Sequence, residues 1–198
     1  MEIKEVADAF SEEGLLIMVE AFRGKWQQML KVGDDQTILR YLRSSQKNKE
    51  RRFEVNQGQE IVGCFSLVAR EYPLRQINEG KGLSLSESIR WRVGLSLLSS
   101  EPKAGELYIS HLAVSNLARR HGYGQQILTH ILNLGRNSGK SWVILHVAKG
   151  NQQAVKLYRR MGFSVVAEEN YNLTSWILGE KNWLLMKCPI EPSKNTFL

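Results

Sequence analysis

Apolar residues recur at helical spacing between Asp8 and Val32, at Leu15, Met18, Val19, Phe22, Trp26, Met29 and Leu30, with Gly14 and Gly24 as the interruptions. That periodicity predicts one or two helices burying a single stripe. Asp34 and Asp35 can cap the next helix, whose apolar side is Ile38, Leu39, Tyr41 and Leu42. The basic run RSSQKNKERR that follows reads as a solvated loop.

The period then changes. RFEVNQGQEIVGCFSLVA carries β-rich stretches on both sides of a turn at Asn56 to Gly58, which predicts a hairpin. GELYISHLAV predicts a strand, and GQQILTHILNLG a helix burying Ile127, Leu128, Ile131 and Leu132. SWVILHVA is almost continuously apolar, as in a strand covered on both faces. A short helix over 151–161, the strand FSVVAE and a last strand NWLLMKC complete the pattern. Residues 70–104, with glycines and serines around a candidate helix SESIRWRVGLSLL, fit no regular neighbour and read as an insertion. The expectation is an α/β fold, a helical pair followed by β-β-insertion-β-α-β-α-β-β, in one domain over 1–198.

Composition narrows the function classes. No apolar run is long enough to span a bilayer, and MEIKEVADAF is acidic where a secretory signal would be basic, so we expect a cytoplasmic chain with no membrane partner. Cys64 and Cys188 each fall inside an apolar strand, which favours buried thiols over a disulfide or a metal site. A net charge of +7 favours an anionic partner. Nucleic acid is disfavoured because the basic residues come without a helix-turn-helix or stacking signature. GRNSGKS, from Gly135 to Ser141, imitates a phosphate loop but is one residue short and runs from helix to strand, the reverse of the required context.

The stretch LARRHGYGQQIL carries a different signal. Backbone amides at a helix start have no intrahelical acceptors, and with the helix dipole they favour anions. Gly122 and Gly124 would let a phosphate approach, and Arg119 and Arg120 would supply charge-assisted hydrogen bonds. The second motif, NQQAVKLYRRMGF, offers Asn151 as a cap, Ala154, Leu157, Tyr158 and Met161 on one helical side, and Gly162 as a stop.

Together, in the order strand, R-x-x-G-x-G, helix, strand, N-x-x-A-x-x-L-Y-x-x-x-G-F, these motifs resemble the GCN5-related N-acetyltransferase (GNAT) superfamily. The resemblance covers residues 105–168 and extends to the hairpin at 53–69. It implies a central mixed sheet of six or seven strands with helices on both faces. The fourth and fifth strands, here LYISHLAV and WVILHVA, would splay to admit acetyl-CoA. Arg119, Arg120, His121, Gly122, Tyr123, Gly124 and Gln125 would surround the pyrophosphate. Backbone groups of Leu112, Ala113 and Val114 would hold pantetheine and the acetyl carbonyl, and Asn151 would touch the cofactor's arm. Tyr158 stands where the family places the proton donor to the departing thiolate. At the His121 position the family usually carries a small or aliphatic residue, so the imidazole is expected to face solvent.

An amine must lose a proton before it attacks a thioester. Strand alternation would put Tyr108, Ser110 and Leu112 on one face of the fourth strand, Ile144, His146 and Ala148 on one face of the fifth, and His111 on the opposite face in a structural role. The base candidates are Tyr108, His146 and Glu106, the last more readily read as an exposed carboxylate at a strand start. A tyrosine and a histidine at the Tyr108 and His146 positions act together in a subset of protein N-terminal acetyltransferases, which the two strands resemble; other branches carry a glutamate at one of them. With no cysteine in either motif, direct transfer in a ternary complex is expected. The acceptor is a protein or peptide amine, or a small-molecule amine. A non-catalytic acyl-CoA-binding regulatory module is the alternative from another class, and a monomer and a homodimer both remain open.

Overall fold

The computed structural model describes residues 1–7, 9–30, 34–45, 50–72, 101–170 and 180–191. Most of the expected insertion, residues 73–100, therefore lies outside the described residues. The chain opens with β1 (Glu2–Val6), then α1 (Glu12–Leu30), α2 (Asp35–Ser45), and the hairpin β2 (Glu50–Gln57) and β3 (Glu60–Val68). After the insertion come β4 (Glu106–Val114), a single 3-10 turn (Asn116–Ala118), α3 (Tyr123–Asn137), β5 (Trp142–Ala148), α4 (Gln152–Arg160), β6 (Ser164–Asn170) and β7 (Asn182–Pro189).

These strands form one mixed sheet in the order β1-β2-β3-β4-β5-β7-β6. Neighbours are antiparallel except β4 and β5, which run parallel with α3 as their crossover. The sheet has a core on each face. On one, α3 and α4 cover Phe65, Leu67, Leu107, Ile109, Val143, Leu145 and Met186. On the other, α1 and α2 cover Cys64 and Ala113 with Leu15, Met18, Trp26, Ile38 and Leu42. Each large side chain fully buried this way contributes roughly 1.5–3 kcal/mol. Phe53 and Phe65 add a stacked pair, ring centroids 4.7 Å apart.

Local chemistry explains the element ends. Ser11 caps α1, its Oγ accepting the Gly14 amide at 3.1 Å, and Asp34 caps α2, its Oδ1 accepting the Thr37 amide at 2.7 Å. The stripe from Leu15 to Leu30 is one helix broken at Phe22 (φ −120°, ψ 21°), and across that kink the buried Trp26 indole donates to the Met18 carbonyl at 3.3 Å. Helix α4 starts on Asn151, whose Oδ1 accepts the Ala154 amide at 3.2 Å. It stops at Gly162 with the Phe163 amide bonded back to the Tyr158 carbonyl. Both cysteines are buried free thiols. GRNSGKS is the α3-to-β5 turn, with the Lys140 ammonium paired to Glu71.

Three elements depart from the sequence expectation. Strand β1 is an edge strand of alternating charge, so it lacks the apolar pattern that announces a strand. The end of the basic run is not solvated loop but the start of β2, where Arg52 is buried and pairs with Glu50 at 3.6 Å. Strand β4 carries a bulge: Leu67 of β3 stands opposite Ile109 and Ser66 opposite His111, which leaves Ser110 as the extra residue.

Candidate functional site

The bulge changes which side chains share a face. Leu107, Ile109, Leu112 and Val114 pack toward α3 and α4, while Ala113 packs toward α1. Because Ser66 Oγ lies 2.7 Å from Ser110 Oγ and 3.1 Å from His111 Nδ1, both neighbours of the bulge join the α1 face. His111 is thus on the face of Tyr108, and Leu112 is not, contrary to simple alternation. The imidazole sits against Phe22 and Trp26 of α1, ring centroids 5.9 Å and 6.2 Å away. Burial, with repulsion from Lys25 and Arg52 added, pushes its pKa down to about 3, so it is neutral. Glu50 shares this pocket. Its burial lifts its pKa, against the opposing pull of Arg52 and the hydroxyls of Ser110 and Ser66.

Tyr108 stands in the parallel pairing of β4 with β5, opposite Ile144, and that pairing ends one row later at Ile109 and Leu145. From Ser110 onward the two strands are no longer paired, and among the described residues β4 keeps only its β3 neighbour through Val114. Among those residues, one hydrogen-bonding edge of Leu112, Ala113 and Val114 therefore has no strand partner. At the lip of this split, the Tyr108 hydroxyl is 3.4 Å from His146 Nδ1, with the two rings edge to face at 5.8 Å. Glu169 of β6 completes the row, its Oε2 3.4 Å from His146 Nε2.

Glu106 is two residues from Tyr108 but is no exposed edge carboxylate. It is 6% exposed, accepts the Lys103 amide at 2.8 Å and pairs with Lys187 Nζ at 2.6 Å. Burial alone would raise its pKa; Lys187 and the Lys103 amide outweigh burial and hold the carboxyl below its ordinary range. A carboxylate so occupied is a poor proton acceptor near neutral pH.

The chain leaves β4 through the 3-10 turn, tied to α1 by the Asn116 amide on Glu20 Oε2 at 3.2 Å, and enters α3 at Tyr123. Arg119 Nε donates to the Val114 carbonyl at 3.4 Å. His121, although exposed, folds back on the loop, its Nδ1–H donating to the Arg119 carbonyl at 2.9 Å. Arg120 (φ 68°) and Gly122 (φ 83°) both adopt positive φ, so the loop turns its backbone sharply into the helix start. The Tyr123, Gly124 and Gln125 amides open the first turn, where no intrahelical acceptor exists. The two glycines serve different ends. A Cβ on Gly122 would make only an ordinary contact, 3.8 Å from Gln126 Nε2, but in a left-handed backbone, whereas one on Gly124 would lie 3.0 Å from Leu157 Cδ2 of α4. Gly122 and Gln125 also border an open depression with Gln126 and Thr129.

Tyr158 occupies the opposite face from Tyr108 and His146. It is 9% exposed, packed at 5.7 Å from the Phe163 ring, and burial pushes its pKa up to about 12, so it remains a protonated phenol. Among the described residues its hydroxyl has no hydrogen-bond partner, which leaves an unused donor in the core. Asn151 spends its oxygen on the α4 cap and lies exposed. Sequence reasoning missed Glu169 and the pocket of Glu50, Ser66 and His111. Their contacts join separate strands, and no local spacing signals them.

A mixed sheet that splits between two parallel strands, with a glycine-containing helix start at the end of the first, defines an acetyltransferase fold. The sequence matches the acetyltransferase (GNAT) family over residues 17–163, and the chain belongs to that family. It is 34% identical over 67 residues to N-alpha-acetyltransferase 50 of Danio rerio, covering 33% of this chain and 40% of that one. It is 29% identical over 105 residues to N-acetyltransferase 8 of Rattus norvegicus, covering 51% of this chain and 47% of that one. These alignments span less than half of each relative's length. Among solved structures, a Bacillus subtilis acetyltransferase in complex with CoA superposes with a TM-score of 0.61 at 12% identity, covering 96% of this chain and 98% of that one. Among the described residues no helix is long and apolar enough to cross a membrane, and no cluster of His, Cys, Asp or Glu is arranged to hold a metal.

Proposed function

We propose that this protein transfers acetyl from acetyl-CoA to a primary amine by direct attack in a ternary complex, and that the acceptor is a protein or peptide amine. The observation that carries the reading is the parting of β4 from β5 directly beyond Tyr108, with the Arg119 to Gln125 loop where β4 leads out. The residues present fit the cosubstrate. The helix-start amides with Arg119 and Arg120 suit a pyrophosphate. The partnerless edge of Leu112, Ala113 and Val114 suits the amides of pantetheine, and the buried Tyr158 hydroxyl suits a leaving thiolate.

Acetyl-CoA supplies the activated acyl group. Tyr108 and His146 provide the route by which the acceptor ammonium gives up its proton, and Tyr158, a protonated phenol at rest, would give its own proton to the sulfur and recover one from solvent afterwards. The opposite faces of the sheet keep these two proton movements apart. The missing bulk of Gly124 lets α3 approach Leu157 of α4, the helix that carries Tyr158, which supports a role for Tyr158 near the cosubstrate. The peptide reading is also supported by the Danio rerio relative, which is named as an N-alpha-acetyltransferase.

Calorimetry of acetyl-CoA binding, followed in the same preparation by CoA release on peptide N-termini, lysine peptides, polyamines and aminoglycosides, tests the reading. Binding with turnover on the peptides is expected. Turnover only on the small amines reassigns the acceptor, and binding without turnover on any amine points to an acyl-CoA-binding regulatory module.

A further inference from the structure

His146 has a titratable neighbour on each side. Its Nδ1 is 3.4 Å from the Tyr108 hydroxyl on β4, and its Nε2 is 3.4 Å from the Glu169 carboxylate on β6. Reaching it requires Glu169 to pass over β7, the strand between β5 and β6. The register permits this: Leu185 of β7 stands between His146 and Ala167, and Glu169 is paired with Trp183 one step along the same face. Other charges on that face are compensated, Glu106 by Lys187. Lys149, three residues beyond His146, is paired with Glu168 at 2.5 Å. The imidazole itself is 11% exposed, so the carboxylate acts on it with little screening by water.

We propose that Glu169 is the positioning residue of a Tyr108–His146–Glu169 relay. A carboxylate can only accept, so Nε2 must carry the proton and Nδ1 is left to accept from Tyr108. As the acceptor's N–H proton moves to the Tyr108 oxygen, the phenolic proton passes to Nδ1. Tyr108 ends unchanged, and the imidazolium holds one proton toward each neighbour. The Glu169 charge stabilises that imidazolium and fixes the ring plane, in the manner of the third member of a catalytic triad. The kinetic side of this inference rests on the acetyl-transfer reading; the placement of the imidazole does not.

The test separates the two. In the apo protein, 15N–1H NMR of the His146 ring, assigned with His146→Asn, reports the tautomer without any ligand. We expect a single Nε2–H tautomer in the wild type. Glu169→Gln should weaken that preference and let the Nδ1–H tautomer appear, because the charged acceptor facing Nε2 is gone. Glu168→Gln, which removes a carboxylate paired with Lys149, should leave the tautomer in place. With a peptide amine that turns over, Glu169→Gln should lower kcat about tenfold at unchanged KM for acetyl-CoA, with partial recovery in Glu169→Asp. An unmoved tautomer in Glu169→Gln, or an equal change in Glu168→Gln, would overturn the proposal. A changed tautomer with no amine acetylated sinks the acetyl-transfer reading and leaves the positioning role standing.

Discussion

The Tyr108 hydroxyl meets His146 Nδ1 at 3.4 Å across the last stretch where β4 and β5 remain paired. Two strands of one sheet thus contribute one polar contact each, at the point where they begin to part. If this contact carries the amine's proton, Tyr108→Phe and His146→Asn should each lower kcat by roughly 10²-fold, and the double variant should lose little more than either alone. Steady-state kinetics on the four proteins measure this; multiplicative losses would show that the two side chains act independently.

Tyr158 offers a dissociation of stability from function. Its buried hydroxyl has no partner among the described residues, so Tyr158→Phe should leave the thermal midpoint unchanged or raise it, by up to about 1 kcal/mol in stability. The same variant should reduce kcat at unchanged acetyl-CoA affinity. Calorimetry and single-turnover kinetics on one preparation check both, and an unaltered chemical step would reduce Tyr158 to packing.

For Gly122 the structure predicts strain rather than collision. Gly122→Ala places a Cβ without a clash, 3.8 Å from Gln126 Nε2, but at φ 83°, so it should cost about 1 kcal/mol and misalign the helix-start amides, weakening acetyl-CoA binding. Gly124→Val must instead push Leu157 and α4 away, disturbing Tyr158 on the same helix. Titration calorimetry should show a loss of affinity in the first, and kinetics a loss of kcat in the second.

Glu106 distinguishes a structural carboxylate from a base. Glu106→Gln leaves Lys187 with a neutral partner and should destabilise the fold by about 1–3 kcal/mol while sparing kcat. A denaturant melt and a rate assay suffice; a collapse of kcat in a stable variant would return Glu106 to the chemistry.

His111 gives the fold a pH dependence. Its folded pKa of about 3 lies below the ordinary 6.5, so the unfolded chain takes up the proton first. The stability it contributes is fully present above pH 6.5 and is lost as pH falls from 6.5 toward 3, by at most about 1.4 kcal/mol per pH unit. His111→Gln, which retains a hydrogen-bonding group for Ser66, should flatten that part of the profile in urea melts.

Much of this was readable in the chain because the readable parts are local. Helices α3 and α4 announce themselves by stripe and stop, and Arg119, Gly122 and Gly124 fall together because the helix start is one short peptide. Elsewhere the determinants are non-local. Nothing in LYISHLAV marks Ser110 as the extra residue, since a bulge is a property of two strands in register, and it alone brings His111 around beside Tyr108. Arg52 belongs by composition to a solvent-facing basic run, and the partner that accompanies it into the sheet is Glu50. Glu106 sits at a strand start, where exposure is the ordinary expectation; the partner that buries it, Lys187, lies near the other end of the chain.

The parting of β4 from β5 also makes the sheet into two plates joined along a short seam. Tyr108 rides on the plate of β1 to β4; His146 and Glu169 ride together on the plate of β5, β7 and β6. The Tyr108 to His146 gap spans the seam, whereas His146 and Glu169 lie on one plate. On the proton route proposed above, the relay therefore has a single joint that depends on the angle between the plates, and an occupant of the split would act on that joint.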